Sequence, residues 1–99
     1  MATPPREYEP EAIGRRLLLT RQALGIDAQG EFARRAGIGV TAYNQYEMGR
    51  KRPSIENAVA LCDAYHLTLD WLYRGDPSGL TYELGAALQA MRAAREPQR

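Results

Sequence analysis

At 99 residues, 44% of them hydrophobic, the chain has material for one small core, and a single domain without a separate effector domain is expected. Thirteen Lys and Arg against twelve Asp and Glu leave a formal charge of +1, so any attraction to a polyanion has to be local. The lone cysteine, Cys62, excludes an intramolecular disulfide and a cysteine-based zinc site. No charged segment leads into an apolar stretch and no run approaches eighteen apolar residues; a cytoplasmic protein with no membrane contact is expected.

In chain order, residues 1–10 hold three prolines and the acids Glu7 and Glu9, the composition of a disordered tail. A first helix is predicted from Pro10 and Glu11, because proline is tolerated in the first turn and an acid suits its positive end. It buries Ile13, Leu17, Thr20 and Leu24, spaced i, i+4, i+7, i+11, and stops at Gly25. Asp27 or Ala28 caps a second helix opening at Gln29. Phe32, Ala33 and Ala36 share its inward face, and the small Ala33 lets another helix cross closely. Gly37 ends that helix in the left-handed conformation, and Ile38 plugs the turn. After Gly39 a third helix carries Tyr43 and Tyr46 on its inward edge and Val40, Thr41, Asn44 and Gln45 on the opposite face. Two short helices around a glycine turn are the layout of a helix-turn-helix. Its outer face is suited to base edges, since Asn and Gln can bond bidentately to adenine and Thr and Val methyls can meet the thymine methyl.

Gly49 terminates the third helix, and Arg50, Lys51 and Arg52 follow it. Charge runs are usually solvated loops, but directly after such a helix the side chains and backbone N–H groups face phosphate. Between Arg34 and Arg52 stand five cations against one acid, Glu47. Ser54 caps a fourth helix to about Tyr65, with Ala58, Leu61, Cys62 and Tyr65 inward, and His66 takes the exit position. Thr68 caps a short fifth helix containing Leu69, Trp71, Leu72 and Tyr73, closed by Gly75 and Pro77. Leu80, Leu84, Leu88 and Met91 then recur at i, i+4, i+8 and i+11, an amphipathic sixth helix to about Arg95. Its apolar stripe either folds back on the body or meets the same helix of a second subunit; the dimer contact is the expectation.

The segment from about Ile13 to Asp76 resembles the helix-turn-helix domain of the Cro and phage-repressor type, the XRE family of bacterial regulators. The resemblance is carried by Gln29, the run FARRAGI, the end YNQYEMG of the third helix, the loop GRKRPS and the closing LTLDWLYRGD. It implies that the third helix enters the major groove, that Gln29 holds a phosphate, and that Arg21 pairs with Glu47 in a partly buried ion pair. The chain departs from the family pattern at Gly39, where Ser or Thr is usual, at Val40, which cannot hydrogen-bond a base, and in a connection before Gln29 one residue longer than common.

No catalytic chemistry is legible. One His and one Cys supply no metal-ligand set, no nucleophile has a base on its face, and AGIG lacks the lysine and spacing of a phosphate loop. The chain therefore reads as an all-α protein: a tail over 1–10, a five-helix DNA-binding domain over 11–76, and a C-terminal helix over 77–99 offered as a dimerisation element. The expected function is a sequence-specific transcriptional regulator, a repressor by operator occupancy, with no cofactor and no metal. Val40, Thr41, Asn44 and Gln45 would contact bases. Gln29, Tyr43, Arg50, Lys51 and Arg52 would contact phosphate of double-stranded DNA, with the protein a homodimer. The alternative, favoured by Gly39, Val40 and the near-neutral charge, is a protein-interaction module, antitoxin-like or degenerate.

Overall fold

Every regular element among the described residues, 3–95 of the computed structural model, is helical. α1 spans Pro10–Ala23, α2 Gln29–Arg35, α3 Val40–Glu47 and α4 Ile55–Tyr65. A wide π-type turn at Asp70–Arg74 and a 3-10 turn at Pro77–Gly79 then lead to α5, Tyr82–Arg95. Residues 1–2 and 96–99, which belong to the expected tail and C-terminal element, lie outside the described residues. No described helix is long and apolar enough to cross a membrane.

The first three helices stop by the same device. At the end of α2, Gly37 takes φ +72, its N–H reaches the Arg34 carbonyl at 2.9 Å, and the Ile38 N–H reaches the Ala33 carbonyl at 2.9 Å. This double closure satisfies carbonyls the helix cannot, and it tucks Ile38 into the core at 4% exposure. α1 and α3 repeat it with Gly25 and Gly49. α4 ends on His66 at φ 55, and its start is capped by Ser54 Oγ, which accepts from the Asn57 N–H at 3.1 Å. Neither α2 nor α3 has a side-chain cap; Ala28 and Gly39 hold those positions.

The core centres on Phe32. Its ring stacks on Tyr65 at 4.2 Å and lies tilted against Tyr43 at 5.3 Å, while the Tyr65 hydroxyl donates to the Phe32 carbonyl at 2.7 Å. Ile13 and Leu17 of α1, Ala33 of α2, Leu61 of α4 and Leu72 complete the sealed interior. The Trp71 indole N–H donates to Thr20 Oγ1 at 3.0 Å, and that hydroxyl donates to the Arg16 carbonyl at 2.6 Å. The short fifth helix expected here forms with π-type rather than α geometry. Thr68 Oγ1 accepts from the Trp71 N–H at 2.9 Å at its start, and the turn leaves Leu69 exposed.

Two expectations concern the segments that flank α1 to α4. α5 packs on α1 and sends Leu84 into the protein's own core at 4% exposure, with Leu80 and Leu88 against it and Met91 half-buried. Folding back buries Leu84, whereas Leu80, Leu88 and Met91 keep part of their surface open, so the stripe divides between the protein's own core and a face that the expected dimer contact would use. The segment before α1, expected as a disordered tail, is tied to the body at two residues, Glu7 bonded to Arg16 and Tyr8 to Arg52. The signal missed was Arg16, whose burial demands a carboxylate partner.

Gly14 sets the approach of α1 to α3. A Cβ there would meet the Tyr46 carbonyl oxygen at 2.6 Å and the Glu47 carbonyl oxygen at 2.8 Å, both backbone atoms that cannot swing aside. Gly14→Ala would gain about 1 kcal/mol of helix propensity. The overlap outweighs this, and we expect a net destabilisation of roughly 1–3 kcal/mol in urea denaturation. A stabilised variant would show that the two helices do not cross this closely.

Candidate nucleic-acid interface

The outward face of α3 presents the side chains a reading head requires. Val40 is 43% exposed, Thr41 is exposed, and Asn44 and Gln45 are half-exposed. What fixes this face is a hydrogen-bonded chain running inward from it. Asn44 Nδ2 donates to Gln29 Oε1 at 3.0 Å, and Gln29 Nε2 donates to Glu47 Oε1 at 2.9 Å. Glu47 in turn takes a forked pair of bonds from Arg21, 2.7 Å from Nη2 and 3.0 Å from Nε. The remaining Arg21 nitrogen, Nη1, donates to the carbonyls of Ile26 and Asp27 at 3.0 and 2.6 Å.

The side chains of Arg21 and Glu47 are 9% and 4% exposed, so neither charge has water to fall back on. Burial alone would raise the Glu47 pKa; hydrogen bonds from Arg21 and Gln29 and the Arg21 charge outweigh it and hold the carboxyl below the ordinary carboxylate range. The hydrogen bond with Glu47 raises Arg21 in the same sense. Both directions describe a charged pair.

Tyr43 does not belong to this surface. It is 0% exposed, its ring packed on Phe32 and edge-on to Tyr46, and burial pushes its hydroxyl far up from the ordinary phenol range. The phosphate contact expected of Tyr43 is therefore corrected: its hydroxyl lies inside the protein, where no phosphate reaches. Tyr46 is also core, its hydroxyl accepting from Asn57 Nδ2 at 2.8 Å. Gln29 is half-buried and bonded on both sides, so it enters any phosphate contact already oriented.

Arg50, Lys51 and Arg52 are exposed on the loop after α3. Among the described residues Arg52 is the one of the three that is tethered, by Nε to the Tyr8 carbonyl at 2.7 Å. Sequence reasoning left Arg34 and Arg35 undivided, and the structure separates them. Arg35 pairs with Glu31 one turn away at 2.6 Å, whereas a Cβ on Gly30 would lie 3.1 Å from Arg34 Nη1 and 3.7 Å from Val40 Cγ2. Arg34 thus adds a cation at the edge of the α3 face, brought there by the absence of a side chain at Gly30. Cys62 is half-buried in α4, where burial, helped by Asp63, pushes its thiol up.

Because a depressed carboxylate pKa stabilises the folded state above its unfolded value, the Glu47 contribution is fully present at neutral pH and is lost as pH falls below about 4.5. Glu47→Gln should cost about 3 kcal/mol at pH 7 and flatten the acid side of the stability profile, as read by urea denaturation from pH 7 to 3. A profile as steep as wild type would assign the acid sensitivity elsewhere.

Comparison with known proteins agrees with this geometry. The helix-turn-helix family profile matches residues 17–72, more than half the chain. One curated relative, the cryptic phage CTXphi transcriptional repressor RstR of Vibrio cholerae serotype O1, is 37% identical over 60 residues, covering 61% of this chain. The match spans 53% of that relative's length. No solved structure matches significantly. The chain belongs to the helix-turn-helix family, of the XRE and phage-repressor type.

Proposed function

We propose that the protein is a sequence-specific regulator of transcription, working in the cytoplasm as a repressor that occupies its operator as a homodimer. The observation that carries this reading is the α3 face: an exposed Val40 and Thr41 and a half-exposed Gln45 beside an Asn44 anchored through Gln29 to the buried Arg21–Glu47 pair. The family and the likeness to a phage repressor support it. Nothing in the mechanism is catalytic. α3 lies in the major groove, Gln45 and Asn44 offer amides to base edges, and the Thr41 and Val40 methyls meet apolar base surface. Gln29, Arg34 and the Arg50 to Arg52 loop fix the register on phosphates, which carry affinity without sequence information.

Gln45 is the sharpest reader in this assignment, since its amide has no protein partner among the described residues, whereas one Asn44 amide hydrogen is already committed to Gln29. A twofold-symmetric pair of subunits favours a palindromic site, with half-sites about 34 Å apart along one face of the duplex.

In vitro selection of bound duplexes from a random pool tests both statements. A palindromic consensus is expected for wild type, and Gln45→Ala should relax one base pair in each half-site by roughly 1–3 kcal/mol of discrimination. An unaltered consensus in the variant would remove Gln45 from base reading. Binding should also weaken with salt, each phosphate contact adding about 0.9 to the log–log slope; a slope near zero would remove DNA as the partner.

A further inference from the structure

Arg52 does not stand free on the loop after α3. Its Nε donates to the Tyr8 carbonyl at 2.7 Å and its guanidinium lies 5.9 Å over the Tyr8 ring, while its two terminal nitrogens remain for another acceptor. The residue before Tyr8 is held more firmly still. Arg16 Nη1 donates to the Glu7 carboxylate at 2.7 Å, and Nη2 donates to both the Glu7 carbonyl and the Leu72 carbonyl, the latter at 2.8 Å.

The Arg16 side chain is 9% exposed, with its guanidinium 6.0 Å from the Trp71 ring centre. A buried arginine requires a carboxylate, and the fold takes it from the N-terminal segment. Gly75 makes the room, since a Cβ there would overlap the Glu7 carboxylate. Adjacent residues of one segment are thereby fixed to different things: Glu7, its own side chain 64% exposed, to the buried Arg16, and Tyr8 to a cation of the loop that follows the reading helix.

We propose that Glu7 and Tyr8 form a clasp that positions Arg52 for a DNA backbone phosphate, making the segment before α1 a working part of the interface. The proposal rests on reading Arg52 as a phosphate contact. A free arginine loses its rotamer freedom when it meets a phosphate; one already stacked and bonded through Nε has lost it on folding and presents its terminal nitrogens at no further entropic cost. Simple electrostatics predicts the opposite sign for the clasp: deleting the Glu7 charge should strengthen attraction to a polyanion, whereas loosening Arg52 should weaken it.

The test is fluorescence anisotropy with a labelled random-sequence duplex across a salt series. Arg52→Ala should lower the log–log salt slope by about 0.9. Glu7→Gln and Tyr8→Ala should each weaken binding about two- to four-fold at fixed salt. Tyr8→Phe, which keeps the ring, should bind as wild type, and Glu7→Gln should add nothing in the Arg52→Ala background. Tyr8 is 51% exposed, so its variants report on the clasp even if Glu7→Gln disturbs folding through Arg16. Unchanged or tighter binding by the Tyr8→Ala and Glu7→Gln proteins, with Arg52→Ala still lowering the slope, overturns the clasp alone. An unchanged slope in Arg52→Ala overturns the phosphate reading and the clasp with it.

Discussion

The buried contact between Arg21 and Glu47 is the constraint that sets the rest of this molecule. Hydrophobic packing around Phe32 brings the helices together but is indifferent to direction. The ion pair is not, because a guanidinium and a carboxylate removed from water must satisfy each other and their remaining bonding positions at fixed angles. Arg21 meets this by bonding Glu47 on one side and the carbonyls of Ile26 and Asp27 on the other. Glu47 meets it by accepting also from Gln29. One set of bonds therefore ties the end of α1, the connection after it, the first residue of α2 and the last residue of α3. Rotating α3 about its axis would break several of these at once, so the side chains on its outer face inherit their direction from a pair of charges they never touch.

Charge is distributed by the same economy. A chain with net +1 shows cations beside α3 although several other arginines are paired with carboxylates. Arg21 is buried with Glu47, the buried Arg16 reaches the exposed carboxylate of Glu7, and Arg35 pairs with Glu31 on the surface. Arg34, Arg50, Lys51 and Arg52 are exposed without a carboxylate partner among the described residues. Three of them come from one loop, and the fourth leans across Gly30 toward Val40. A polyanion would meet local concentration of charge here, which the whole-chain sum conceals.

Much of this architecture could be read from residue order. Glycine stops at Gly25, Gly37 and Gly49, the cap at Ser54 and the faces of α1 and α2 follow from short-range rules, and the structure places them accordingly. Residues whose roles depend on distant partners could not be read this way. Gly14 sits in a helix interior where its sequence neighbours give it no purpose; only the backbone of α3 does. Arg16 has the composition of a surface residue and lies in the core, and it alone gives Glu7 and the segment around it a place. The stripe of α5 was visible, but its destination depended on the vacancy beside α1, a tertiary fact. For the candidate site, the exposed face of α3 was legible because its polar residues fall opposite the inward edge of Tyr43 and Tyr46; the bond that anchors Asn44 to Gln29 was not. Tyr43 misled because a tyrosine hydroxyl suits either water or the interior, and the sequence does not say how deep the ring goes.

The α3 face also shows how a departure from the family pattern can be absorbed. Val40 offers no hydrogen bond where a polar side chain is usual, and Gly39 brings no capping oxygen, so the Thr41 hydroxyl is the polar side-chain group of the first turn of α3. In the proposed reading the amides fall on one later turn, at Asn44 and Gln45. These two are not equivalent. Asn44 is held by Gln29 and through it by Glu47, so its amide is set before DNA arrives and its contribution to binding carries little ordering cost. Gln45 has no side-chain bond among the described residues, so a base contact, as proposed, would have to order it, a cost recovered only where the base offers a matching donor and acceptor. In the proposed reading, an amide anchored within the protein beside one that is not would give the surface both a fixed register and a residue whose gain depends strongly on the base it meets, which would concentrate discrimination in a single side chain.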